Sequence, residues 1–458
     1  MTGVCGVKVL KALKRLGFAM WDDVLLRVLR GFITAGRLQV TLPDGRVAVF
    51  GDGPGVAVEL RDKALTRKIL LNPELALGEA YMAETLVIAG DDLAGFLRLI
   101  LRSRGGSGAS AIKLLAGLRR AAMRVSDWNP VGRARANVAH HYDISPELYG
   151  LFLDDSRQYT CAYFREPGMT LSQAQAAKIA HIGAKLLIAP GMRVLDIGCG
   201  FGTLAIALAR DHGAKVVGVT LSQVQLAEAR QRAAVAGVAD RVEFRLQDYR
   251  DVAGPYDRIV SVGMMEHVGR PHLGTYFARV HDLLTQDGVA LIHYIAHPQR
   301  PAANSPWFEK YIFPGSYCPA LSEVAPHLER AGLHLADLEA WRGHYDPTLA
   351  AWRAKFETNV ARITALTDAR FVRMWRYYLV SAEVSFAEGL RVVHQLQLSR
   401  RQGAVPAARD YLYGSGPARQ SGDAGAGDFA QTKRAHQIGE RVDFLGRAGH
   451  LEYETFQR

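Results

Sequence analysis

The chain has 458 residues, of which 49% are hydrophobic and 22% charged, with 45 glycines and 18 prolines. That usage excludes global disorder, collagen-like sequence and coiled coil, and at roughly 100–200 residues per domain it allows about two to four domains. Lysine and arginine total 56 against 45 acidic residues, and a formal charge of +11 predicts a polyanionic partner, either nucleic acid or an anionic membrane surface.

Val7 to Leu29 places apolar residues at helical spacing, with Lys8, Lys11, Lys14 and Arg15 on the other side. This is either a half-buried helix with a solvated basic face or an amphipathic helix lying on anionic lipid. LQVTLPDGRVAVF alternates apolar residues on both sides of Pro43-Asp44-Gly45 and predicts a β-hairpin. Residues 77–101 read as helices, so residues 1–101 form a small α+β unit, suited to membrane or lipid association or to a dimer contact. Residues 102–137 set Arg102, Arg104, Lys113, Arg119, Arg120, Arg124, Arg133 and Arg135 against Asp127 alone. With Gly105-Gly106-Ser107-Gly108 among them, they predict a basic linker. A helix start is expected at Asp143 or Ser145, which leaves capping open as a role for Asp143.

Residues 190–296 alternate strands and helices in the manner of a parallel α/β sheet. Strands are expected at Arg193–Ile197, Lys215–Val219, Val242–Gln247, Arg258–Val262 and Val289–Tyr294, with helices such as Thr203–Arg210 and Gln223–Val235 between them. From 347 to 400 the sequence reads as helical, and its aromatics Trp352, Phe356, Phe371, Trp375, Tyr377 and Tyr378 suit a helix core or a channel wall. Residues 401–458 are a Gly/Ala-rich extension, expected to be flexible between 414 and 428. Cys5, Cys161, Cys199 and Cys318 form no CxxC pair, and no apolar run approaches the roughly 20 residues that span a bilayer. A reducing cytoplasm is the expected compartment.

VLDIGCGFGTLAIALA is the strongest local motif: a strand, a Gly198-x-Gly200-x-Gly202 turn, then a helix. Such glycines let the backbone approach a ligand at the carboxyl ends of the strands. Asp196 stands at the mouth of the loop, where a dinucleotide pyrophosphate would be repelled. The next strand ends at Thr220 and not at the acid that holds an NAD ribose. Both features favour a cationic cofactor without phosphate, S-adenosylmethionine (SAM).

Together with that loop, the segments HHYDISPELYGLFLDDSRQYTCAYF, VVGVTLSQVQ, LQDYRD, YDRIVSVGMMEHVG, WFEKYIFPG and HYDPTLAAW resemble the cyclopropane-fatty-acyl-phospholipid synthases and the related mycolic acid methyltransferases. The resemblance covers about 135–400. It implies a Rossmann-like class I SAM-dependent methyltransferase domain with added helices over 138–400, preceded by the small α+β unit. It implies cofactor contacts from Tyr159, Thr160, Asp196, Gly198, Cys199, Gly200, Gly202, Thr220, Leu221, Ser222, Gln225, Gln247, Asp248 and Tyr249. It further implies a bicarbonate ion held by Cys161, Glu266, His293, the backbone of Ile295, and Tyr345. Thr160, Phe201 and Met265 depart mildly from the family's usual Ser, Trp and Phe.

The implied reaction adds a methylene across the cis double bond of an unsaturated phospholipid acyl chain. The alkene is the nucleophile, a carbocation follows, and loss of a proton from the transferred methyl closes the ring. Tyr163, Tyr311, Phe313 and Tyr345 are candidates to face the cation. Taken alone, Cys161 and His293 read as core residues, whereas Glu266, at the end of a strand, reads as functional. His293 and His297 lie on a strand with no acid between them, which argues against a metal. The expected protein is cytoplasmic and peripheral on the inner face of the membrane, with an anionic lipid surface and a second copy of itself as further partners. Nucleic acid is not expected, since the basic residues cluster in a linker without interleaved aromatics. A methyl-branched or furan-type lipid product and a catalytically silent lipid-binding protein are the alternatives.

Overall fold

The computed structural model describes residues 18–105 and 146–413. Lys8, Lys11, Lys14, Arg15, Asp143, Ser145, linker residues 106–137 and the tail from 414 lie outside the described residues. Helix α1 (Phe18–Phe32) turns Trp21 and Leu25 inward. The hairpin forms as expected: β1 (Arg37–Thr41) pairs antiparallel with β2 (Val47–Phe50), Leu38 opposite Phe50. Its turn is set by the Asp44 carboxylate, which accepts from the Arg46 N–H at 3.0 Å, and by Gly45 at φ +88°. β3 (Gly55–Leu60) adds in parallel to β1, and β4 (Leu86–Ile88) completes a sheet of order β2-β1-β3-β4. Helices α2 (Leu65–Leu71), α3 (Pro73–Met82) and α4 (Leu93–Arg102) accompany it. The stretch 77–101 is therefore not helical throughout. Glu84, at φ 57°, breaks it after α3 and lets β4 pair with β3.

The second sheet comprises β5 (Arg193–Ile197), β6 (Lys215–Thr220), β7 (Val242–Leu246), β8 (Tyr256–Val262), β9 (Leu284–Ala296), β10 (His334–Trp341) and β11 (Val392–Ser399). Its order is β10-β11-β9-β8-β5-β6-β7, with β5 to β9 parallel and β11 antiparallel to both neighbours. The five expected strands are present. The helical reading to residue 400 is corrected by β11, and β10 lies where no strand was expected. β11 is buried at all 8 positions, so it shows no one-sided alternation, and His394, Gln395, Gln397 and Ser399 interrupt its apolar run.

The second sheet's helices are α5 (Pro146–Gly150), α6 (Leu171–Leu186), α7 (Thr203–His212), α8 (Gln223–Val235), α9 (Leu273–Leu283), α10 (Pro306–Tyr311), α11 (Leu321–Ala331), α12 (Tyr345–Thr358), α13 (Val360–Leu366) and α14 (Ala369–Ala387). β5 has its successor β6 on one side and β8 on the other, so the strand order reverses there and a crevice opens at the carboxyl ends.

The aromatic stripe is helix core. Trp307, Trp352, Trp375 and Tyr81 are each under 2% exposed, in one apolar cluster that runs from Leu25 and Leu38 through to Tyr378 and Val384. The N-terminal elements thus share a core with α10, α12 and α14. Gly78 of α3 meets the Trp307 ring so closely that a Cβ there would fall 2.3 Å from it. Arg373 Nε donates to the Tyr81 carbonyl at 2.7 Å, and Lys310 pairs with Glu79 at 2.6 Å.

Candidate active site

A cleft at the reversal of strand order is lined from three directions: 157–160 and Lys178, the β5 loop with the start of α7, and the ends of β6, β7 and β8. Glycine makes the β5 loop. Gly198, Gly200 and Gly202 have φ of +82°, +54° and +80°, and the N–H groups of Gly198 and Cys199 both donate to the Val219 carbonyl at 3.0 Å. Of the expected cofactor residues, Tyr159, Thr160, Asp196, Gly198, Cys199, Gly200, Thr220, Leu221, Gln225, Gln247, Asp248 and Tyr249 line this cleft. Gly202 and Ser222 stand behind it. A Cβ at Gly202 would sit 2.6 Å from Phe244, and Ser222 caps α8 by accepting from the Gln225 N–H.

Asp196 decides the charge of the cleft. It is 2% exposed, its Oδ2 has no hydrogen-bond partner among the described residues, and burial pushes its carboxyl up to about 7. A cation would give that oxygen a partner and draw the proton off. Asp248 differs: Arg250 forks onto it at 2.8 Å through both Nε and Nη2, so its charge is already balanced. The donor set fits a ligand that carries positive charge near Asp196 and no phosphate.

Beyond the β8 end of the cleft lies a second cluster. Glu266 occupies the turn after β8 and is 5% exposed. Its Oε1 accepts from the Ile295 N–H at 2.6 Å, its Oε2 is buried without a hydrogen-bond partner among the described residues, and burial pushes the carboxyl up to about 7. The Tyr345 hydroxyl, at the start of α12, is close enough to Cys161 and Glu266 for both to add to the upward shift that burial imposes on it. Cys161 is fully buried, and its thiol is pushed far up. His293, on β9, accepts from Gln395 Nε2 at 3.1 Å through Nδ1, so its proton stands on Nε2. Burial, then Lys178, Lys185 and His181, hold that ring neutral, and Trp341 meets it edge-on at 5.1 Å.

Glu266 and Ile295 are thus in direct contact, Tyr345 lies within electrostatic reach of Cys161 and Glu266, and His293 stands two residues before Ile295 on the same strand. The Ile295 N–H is already committed to Glu266. His297 turns elsewhere, its Nδ1 3.1 Å from Arg391 Nη1. All four aromatics proposed to face a cation already pack against other rings, Tyr345 against Phe386 at 4.5 Å and Phe313 against Tyr378 at 5.7 Å. Tyr163 packs against both His181 and Trp341, each at 4.7 Å, and Tyr311 carries Lys310 over its face at 5.0 Å.

Sequence reasoning missed Lys178, Gln395 and Thr348. Lys178 shares a helix face with Ala174 and Ile182, so its period marked it as buried. Gln395 sits in the strand that was read as helix. Thr348 accepts from the Ala162 N–H at 3.0 Å and ties α12 to the segment beside Cys161.

The family model described as mycolic acid cyclopropane synthetase matches residues 131–396. The chain belongs to that family. A separate domain of unknown function matches residues 28–106. The chain is 36% identical over 340 residues to the cyclopropane-fatty-acyl-phospholipid synthase of Escherichia coli K12, covering 74% of this chain and 86% of that protein. It is 35% identical over 394 residues to the tuberculostearic acid methyltransferase UfaA1 of Mycobacterium tuberculosis, covering 82% and 90%. Among solved structures it is similar to the mycolic acid cyclopropane synthase CmaA1 complexed with SAH and CTAB, with a TM-score of 0.56 and 32% identity over 59% of this chain and 99% of that one. The fold is that of the SAM-dependent methyltransferases, as the resemblance implied.

Proposed function

We propose that this protein transfers a methylene group from SAM to the cis double bond of an unsaturated phospholipid acyl chain, giving a cyclopropane fatty acid. The observation that carries the reading is Glu266: a buried carboxyl with one oxygen fixed by Ile295 and the other open, within electrostatic reach of Tyr345. SAM, when bound, supplies a methyl group on a sulfonium that the alkene can attack directly. Asp196 and the β5 loop would hold it. Bicarbonate, held by Cys161, Glu266, His293 and Tyr345, with the Ile295 N–H orienting Glu266, would supply the base that takes a proton from the transferred methyl.

The chain's own groups suit an anion there. With its carboxyl raised to about 7, Glu266 can keep a proton on the open oxygen and donate it, and the His293 Nε2–H and the Tyr345 hydroxyl are donors too, whereas the Cys161 thiol donates to the Ala162 carbonyl at 3.3 Å. The buried aromatic helices exclude water from a cation formed nearby. The test is the lipid mass spectrum of a host expressing the gene. A gain of one CH2 that survives hydrogenation is expected, and a methyl-branched chain would overturn the cyclopropane assignment. A second reading, methyl transfer to give a branched or furan-type chain, is favoured by the similarity to the tuberculostearic acid methyltransferase, and the same spectrum separates the two.

No helix among the described residues is long and apolar enough to cross a membrane. Arg102 ends α4 and is forked onto Glu388, so it is the basic residues of 106–137 that would hold the enzyme on anionic lipid, at about 1 kcal/mol per basic residue near the surface. Co-sedimentation with liposomes is expected to require anionic lipid and to weaken as salt rises. Salt-insensitive binding to neutral liposomes would remove this reading.

A further inference from the structure

We infer that Lys178 is the cation of an oxyanion subsite on the floor of the cofactor cleft, between the β5 loop side and the Glu266 cluster. The ligand group is a small planar oxyanion. It comes from one of two sources, free bicarbonate or the α-carboxylate of SAM. The inference rests on the proposed function for the identity of the ligands, but not for the existence of the subsite.

Lys178 is 2% exposed and lines the cleft. Its position follows from helix α6, which is stapled to the segment in front of it. Gln175 Nε2 donates to the Thr160 carbonyl at 3.0 Å, and the Tyr163 N–H donates to the Ala174 carbonyl at 3.0 Å. These bonds lay the Thr160–Cys161 strip along the buried face of α6. Lys178 Nζ then donates to Thr160 Oγ1 at 2.6 Å. Among the described residues that hydroxyl is its only hydrogen-bond acceptor, and Lys178 forms no ion pair.

An ammonium has three donors, and a buried one with a single neutral acceptor is poorly compensated. The other buried lysine of α6 shows the contrast. Lys185 is paired with Asp337 at 3.3 Å and Glu339 at 2.7 Å. Lys178 has no such carboxylates. Asp154 and the Cys161 thiol favour its charge from beyond ion-pair distance, and burial outweighs them, drawing the amine down to about 7. The charge balance points to an anion supplied from outside the chain.

The neighbouring groups say where that anion lies. Lys178 pulls the Cys161 thiol down and His293 further down, so its field reaches two of the residues assigned to bicarbonate. Its hydroxyl partner, Thr160, lines the cofactor cleft. The remaining groups of the bicarbonate cluster are neutral or, in Glu266, acidic. Lys178 is therefore the group that makes the local potential favourable for an anion.

The test compares wild type with Lys178→Met and Lys178→Arg, after melting curves confirm that each is folded. Two constants are measured, the dissociation constant of S-adenosylhomocysteine by calorimetry and the bicarbonate concentration at half-maximal methylene transfer. Loss of the charge should raise one of them about 10-fold or more, and Lys178→Arg should recover part of it. A shift in the bicarbonate constant alone assigns the subsite to bicarbonate. A shift in the S-adenosylhomocysteine constant alone assigns it to the cofactor carboxylate. A folded Lys178→Met with both constants unchanged overturns the inference. If wild type itself shows no bicarbonate dependence, the bicarbonate part of the proposed function fails, while the calorimetric arm still reads Lys178. Should Lys178→Met not fold, a crystal structure of wild type with S-adenosylhomocysteine and bicarbonate decides. An oxyanion oxygen within about 3.2 Å of Nζ supports the subsite, and Nζ bound to Thr160 and water alone refutes it.

Discussion

Glu266→Gln is expected to lower methylene transfer by about 10²- to 10⁴-fold, the usual contribution of a positioned acid or base, while S-adenosylhomocysteine still binds. Glutamine keeps the shape and the acceptor that holds the Ile295 N–H, but it cannot share a proton with an anion at the open oxygen. The same variant should be the more stable protein above neutral pH. The Glu266 carboxyl rises from an ordinary 4.5 to about 7 because it is buried. Between those values the folded chain binds more protons than the unfolded one, so stability falls as pH rises through this window and is level above it. The full cost is at most about 3 kcal/mol, and glutamine removes it. Melting curves should therefore favour the variant at pH 8 and converge with wild type at pH 4. Full cyclopropanation by Glu266→Gln, measured by lipid mass spectrometry, would refute the account of the site.

Asp196→Asn should weaken SAM by about 10- to 100-fold, since a charge-assisted contact is replaced by a neutral one in a buried place. S-adenosylhomocysteine, which lacks the sulfonium charge, should lose less. Calorimetry with both ligands reads the difference directly. Asp196 is also raised to about 7 by burial, so this variant too should gain stability above neutral pH in the absence of ligand. Unchanged affinity for SAM would mean that the open Asp196 oxygen does not face the cofactor.

The cofactor cleft was legible because its geometry is made by residues with few substitutes. Three glycines at positive φ and an acid at the end of a strand leave a local signature. The cluster around Glu266 was legible only through family resemblance. Cys161 and His293 look like core residues, and Ile295 meets Glu266 through a backbone N–H that carries no side-chain signal. β11 was hidden because a strand buried on both faces does not alternate, and with it went Gln395, which fixes the His293 tautomer. Lys178 was visible as a buried position in a periodic helix, yet its partner Thr160 lies 18 residues earlier and meets it only in the folded state.

The core that the N-terminal elements share with α10, α12 and α14 also sets an order of events during synthesis. The Tyr81 carbonyl waits for Arg373, 292 residues later in the chain. At about 5–20 residues per second, that interval lasts roughly 15–60 s. Until α14 has been made, the faces of α3 and α4 that end up against it have no permanent cover. The nascent chain thus carries an apolar surface for most of its translation, and the last helix before β11 is what closes it.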